Sequence, residues 1–237
     1  GSFDLYVAGG LFAPPDVALR GRSFSDARQT FVLHDGTGNP ADQQYIFGHE
    51  ITHLFLWNVY GAPGNALVSE GAAVDAGMLL AEPLGHLPLE QFCAAYLQAG
   101  ALPALSGMRF EGHIYDLPNY YAAGCFVRYL RQTYGAAALG SIYSSLDFPA
   151  AYGGKGLAAL EAEWRAALAL VELPPGLDPA ALVAGVETLR SDYRALFAAF
   201  DPLDPVGWQA YWALDARRIA LLSIFQINVF FPIFPYN

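Results

Sequence analysis

Lysine is nearly missing from this chain: Lys155 is the single copy in 237 residues. Lysine and arginine together number 12 against 22 acidic residues, giving a formal net charge of −10. No basic cluster occurs anywhere, so the chain would repel a phosphate backbone, and nucleic acid is excluded as a partner. Charged residues of either sign make up only 14% and apolar residues 54%, which excludes intrinsic disorder and supplies a large core. There is no glycine-rich phosphate loop, no Gly-x-Ser-x-Gly elbow and no paired-cysteine zinc motif. Cysteine is limited to Cys93 and Cys125, which can form one disulfide or stay as two buried thiols; the sequence leaves both open.

The first forty residues read as a small β region, with β-branched and aromatic runs at Phe3 to Ala8 and Thr30 to His34. After Pro40 the pattern is helical. Asn39-Pro40 opens a helix that runs to Tyr60 and stops at Gly61-Ala62-Pro63, and its apolar residues wrap most of the circumference, as in a buried central helix. Further helices are expected from Asn65–Ser69 to Glu82-Pro83, from Pro88 to Ala99, and from Asn119, as cap, to Tyr134. Two more span Leu157 to Val171 and Pro179 to Phe200. Leu173-Pro174-Pro175-Gly176 is the best boundary, giving a unit over 1–173 and a helical extension over 174–237. Ile219 to Tyr236 is almost wholly apolar behind Arg217 and Arg218, but Gln226, Asn228, Pro232 and Pro235 interrupt it. A span needs about twenty apolar residues. The readings are a tail packed on the protein, a truncated end, or a membrane span.

Within the central helix stands His49-Glu50-Ile51-Thr52-His53. Residues four apart share a helix face, so the two imidazoles meet one point, as two of the three protein ligands of a catalytic zinc. Glu50 sits about 100° round from His49, where it can take a proton from water acidified by the metal. Sixteen residues separate His53 from Glu70, which arrives after the turn Ala62-Pro63-Gly64-Asn65, near the start of the next helix, as the candidate third ligand. Gly71 and Ala72 beside it are small enough for close packing on the first helix.

The His-Glu-x-x-His segment, its spacing to Val68-Ser69-Glu70-Gly71-Ala72-Ala73, and the run Tyr120-Tyr121-Ala122-Ala123-Gly124-Cys125-Phe126-Val127-Arg128-Tyr129-Leu130 together resemble the peptidase MA-like gluzincins, zinc peptidases related to the aminopeptidase N branch. Leu160-Glu161-Ala162-Glu163-Trp164 is a weaker match, and the likeness covers about Phe3 to Leu173. The resemblance implies an α+β fold: a small N-terminal β-sheet followed by a mainly α-helical lobe, here with a helical C-terminal extension. It implies one Zn2+ on His49, His53 and Glu70, with Glu50 as general base and Tyr121 as the donor that stabilises the oxyanion; Tyr115 and Tyr120 are its close rivals. It implies hydrolysis of a peptide or protein substrate, with the Thr30 to His34 strand as an edge for an extended chain, and an extracytoplasmic or membrane-associated setting.

Three positions depart from the family pattern. Cys125 stands where serine is common. Asp75 is one residue beyond the position, here Val74, where some relatives carry an acidic residue that steadies a ligand histidine; a role behind the ligands and a solvated face are equally open. The upstream Gly-x-Met-x-Asn segment that binds a substrate's amino terminus is absent, which favours an endopeptidase. His34, His86 and His113 have no partner at ligand spacing, although His113 lies close enough to the Tyr121 helix to reach a substrate. The alternative is a catalytically idle, zinc-stabilised interaction module, docked on a membrane or a partner through the apolar tail.

Overall fold

The computed structural model describes residues 4–9, 21–34, 40–110, 116–201 and 204–223. Strands β1 (Asp4–Gly9), β2 (Gly21–Phe24) and β3 (Gln29–His34) form one sheet in the order β1-β3-β2. β1 runs parallel to β3, and β2 returns antiparallel to it with Ser23 opposite Thr30. The reversal between β2 and β3 is tight enough that Arg28 takes a left-handed φ of 57°. β3 is therefore the central strand, not the edge expected from its sequence, because its two ladders are already filled. Thr30 and Val32 point from it into the interior.

Helix α1 (Pro40–Tyr60) begins with proline in its first turn and ends where Gly61 adopts a φ of 80°, its N–H reaching Trp57 O at 2.9 Å. Asn39, the expected cap, lies outside the described residues. Asn65 caps α2 (Ala66–Ala81), its side chain accepting from Val68 N at 3.1 Å. The two helices approach closely because a Cβ at Gly77 would lie 2.6 Å from Tyr45 O. Gly71 serves a different contact from the one its sequence position suggested. A Cβ there would meet Ala123 O at 2.6 Å, so it admits the fourth helix, not α1.

A 3-10 turn (Glu82–Leu84) leads to α3 (Leu89–Gln98), and after it come α4 (Leu117–Tyr134), α5 (Ala136–Ser145), the single turn α6 (Phe148–Ala151) and α7 (Leu157–Leu168). α4 starts ahead of Asn119, which is no cap: its amide donates to Arg109 O, and Asp116 holds the cap position. Proline is tolerated in a first turn, so Pro118 does not delay the helix. The sulfurs of Cys93 and Cys125 meet as a disulfide joining α3 to α4. Arg128 on α4 is buried against Asp75 (2.7 Å), Glu82 (2.7 Å) and Glu90 (2.8 Å), and Arg131 takes the other oxygen of Asp75. Asp75 thus locks α2 to α4 and does not back a ligand histidine. Five residues turn a helix by about 140° from Glu70.

Gly176, with φ 84°, turns the chain into α8 (Pro179–Phe197), and α9 (Pro205–Leu222) follows. Leu182, Val186 and Leu222 enter the same core as Tyr121, Phe126 and Trp164, while Leu189, Tyr193, Trp208 and Tyr211 form a second cluster between α8 and α9. The apolar run from Ile219 begins as the last turn of α9, and 224–237 lie outside the described residues. Among the described residues no helix is long and apolar enough to cross a membrane.

Arg218 anchors α9 to the first turn of α1, reaching Asp42 at 2.5 Å and Asp215 at 3.0 Å with all three side chains buried. Removing the guanidinium leaves two carboxylates without their cation. Arg218→Ala should lower unfolding free energy by about 3–5 kcal/mol in urea denaturation. Arg217→Ala, whose partner Asp192 is exposed, should stay within about 1 kcal/mol of the wild type. Equal effects of the two changes would contradict the anchoring role.

Candidate metal centre

α1 turns His49 and His53 to the same side, and the Gly61–Asn65 reversal sets Glu70 in the second turn of α2 against them. His49 Nε2 and His53 Nε2 are 3.3 Å apart. Glu70 Oε2 lies 3.3 Å from the first and 3.4 Å from the second. These three atoms form a nearly equilateral triangle. Tetrahedral zinc with bonds of 2.0–2.1 Å has ligand–ligand edges of about 3.3–3.4 Å, so the donor set and its spacing fit that ion. The group can hold a metal ion, and its three residues were those expected from the sequence.

The electrostatics fit a cation too. Burial works against the charged form of Glu70, but hydrogen bonds from His49 and His53 outweigh it and hold the carboxyl well below its ordinary range. Burial likewise opposes charge on His53, yet the bond and field of Glu70, with Glu50 behind, raise it. Ser69 Oγ is 3.3 Å from His53 Nδ1, on the far side of the ring from the triangle. Such a partner fixes ring orientation and tautomer. Sequence reading missed Ser69, and its place directly before Glu70 was the signal available.

Glu50 is buried next to the triangle, and its Oε2 accepts from Ser23 Oγ at 2.8 Å. Ser23, on β2, was not anticipated either, since four residues of β2 carry no alternating pattern. The adjacent tyrosines of α4 differ in their contacts. Tyr121 is fully buried, and its hydroxyl meets His86 Nε2 at 3.2 Å. His86 Nδ1 faces Leu87 O at 3.0 Å, and a carbonyl only accepts, so Nδ1 carries the proton of the neutral ring. Nε2 is then the acceptor, and the Tyr121 O–H points to it. Tyr120 packs 6.4 Å from the His49 ring, centroid to centroid. Burial chiefly, then the charges of Glu70, Asp116 and Glu50, push its phenol well above the ordinary range. Tyr45 packs 5.8 Å from the same imidazole. His113 and Tyr115 lie outside the described residues, and Cys125 is held in the disulfide.

No protein-family profile, curated protein or solved structure matches the chain.

Burial lowers His86 from 6.5 to about 4, with the Leu87 carbonyl opposing and Arg218 assisting the shift. A histidine depressed on folding takes up its proton in the unfolded chain first. Stability is therefore complete above pH 6.5 and falls between pH 6.5 and 4. The loss is up to about 3 kcal/mol. Urea midpoints measured across that range should slope less in His86→Gln than in the wild type; parallel slopes would contradict the buried, neutral assignment.

Proposed function

We propose that this chain is a zinc-dependent peptidase of the gluzincin type. The observation that carries the reading is the triangle of His49 Nε2, His53 Nε2 and Glu70 Oε2, with edges of 3.3, 3.3 and 3.4 Å. Zinc held there supplies Lewis acidity, lowering the pKa of water towards 7 and polarising a carbonyl. Glu50, beside the triangle, accepts the proton of the attacking water and returns it to the leaving amine. A phenol of α4 donates to the oxyanion. Tyr120 fits that task better than Tyr121, because it feels the charges of Glu70 and Glu50 while the Tyr121 hydroxyl is committed to His86. An extended substrate would add to β2, which is an edge of the sheet and lies against Glu50.

The test is cleavage of a mixed quenched-peptide library in zinc-containing buffer. Glu50→Gln should lower turnover at least about 10³-fold while retaining zinc. Equal cleavage by both proteins would remove Glu50 as the base, and zinc binding with no cleavage by either would favour an idle interaction module. Tyr120→Phe should lower kcat by about 10²–10³-fold. Tyr121→Phe should change it far less, and the reverse order would return the oxyanion role to Tyr121.

A further inference from the structure

The contact between β2 and the base rests on the peptidase reading for its chemistry but has a geometry of its own. Ser23 Oγ lies 2.8 Å from Glu50 Oε2 and 2.7 Å from the backbone carbonyl of the same residue. Thr30 Oγ1, directly across the hairpin in register, is 2.6 Å from Ser23 Oγ, and Thr30 is fully buried. A hydroxyl has one proton and two lone pairs. When Thr30 donates to Ser23, the Ser23 proton is left for Glu50, where a carboxylate acceptor makes the stronger bond. Two residues back on β2, Gly21 lets the strand come down onto the same side chain. A Cβ there would stand 2.7 Å from Glu50 Cγ and 2.9 Å from Oε1.

A glutamate has three side-chain torsions, and one that moves a proton must hold its oxygen in hydrogen-bond reach of the water. α1 fixes the Cα of Glu50 but not those torsions. From outside the helix, Ser23 and Gly21 of the β2–β3 hairpin reach that side chain. We propose that Ser23, oriented by Thr30, is the positioning residue for Glu50: it fixes the carboxylate of the base from the edge strand, independently of the three metal-holding residues. The sheet then serves the reaction directly, through a bond to the group that moves the proton.

The experiment has a thermodynamic and a kinetic arm. In thermal unfolding, Ser23→Ala, Glu50→Ala and the double variant should be non-additive, with the serine change smaller once the carboxylate is gone. Additivity would overturn the contact. Zinc affinity of Ser23→Ala, read by titration with Zn2+, should match the wild type; a sharp loss would make Ser23 a support of the metal group and overturn the proposal. On the peptides that the wild type cleaves best, Ser23→Ala should lower kcat by about 10²-fold at unchanged KM, and Ser23→Thr should restore most of it. If Glu50→Gln is dead but Ser23→Ala turns over normally, positioning by Ser23 is wrong and the base stands. If the wild type has no turnover, or Glu50→Gln retains it, the peptidase reading fails and the positioning role fails with it; the unfolding arm then reports the bond as a structural staple.

Discussion

Two imidazole nitrogens and a carboxylate oxygen converge within 3.4 Å of one another in a largely buried pocket, and this crowding is the constraint around which the surrounding structure is arranged. Three electron-rich donors so close together repel unless a cation or protons sit among them. The raised pKa of His53 and the depressed pKa of Glu70 are the signature of that demand. Holding the donors there requires rigid elements pressed together at fixed separation. Gly77 provides it between α1 and α2, and Gly71 between α2 and α4. The Arg128–Asp75 pair and the Cys93–Cys125 link tie α4 to α2 and α3, and Arg218 closes α9 on the start of α1. A donor group built on packed helices tolerates little displacement, because interiors are close-packed and do not deform smoothly.

The parts legible in the sequence are those set by local chemistry. α1 was bounded by Pro40 and Gly61, α2 by Asn65, and four-residue spacing on one helix brought His49 and His53 together without reference to the rest of the chain. Glu70 needed only a short reversal, which Ala62-Pro63-Gly64-Asn65 spells out. The α+β division was also visible, with β-branched runs before Pro40 and helical periodicity after it.

What was not legible depends on long-range pairing or on one-residue differences of phase. β2 is too short to show alternation, and the central place of β3 follows from its parallel match with β1 across the chain. Ser23 reaches Glu50 only because that hairpin lies on α1. Tyr120 and Tyr121 are neighbours about 100° apart on α4, so a resemblance that aligns the helix does not say which ring packs near His49 and which hydroxyl meets His86. α9 was missed although Asp204-Pro205 repeats the capping signature of Asp178-Pro179. The apolar residues after Ile219 drew attention to a tail, when Arg218 is in fact a buried cation of that helix.

The central claim is that His49, His53 and Glu70 form one zinc site, and metal content tests it most directly. The purified protein, stripped with a chelator and titrated with Zn2+, should bind one ion per chain, and alanine at any of the three positions should lower affinity sharply. Cobalt in place of zinc should give the visible absorption of a low-coordinate nitrogen–oxygen site. Absence of stoichiometric binding, or full affinity retained in any of the three alanine variants, would contradict the assignment.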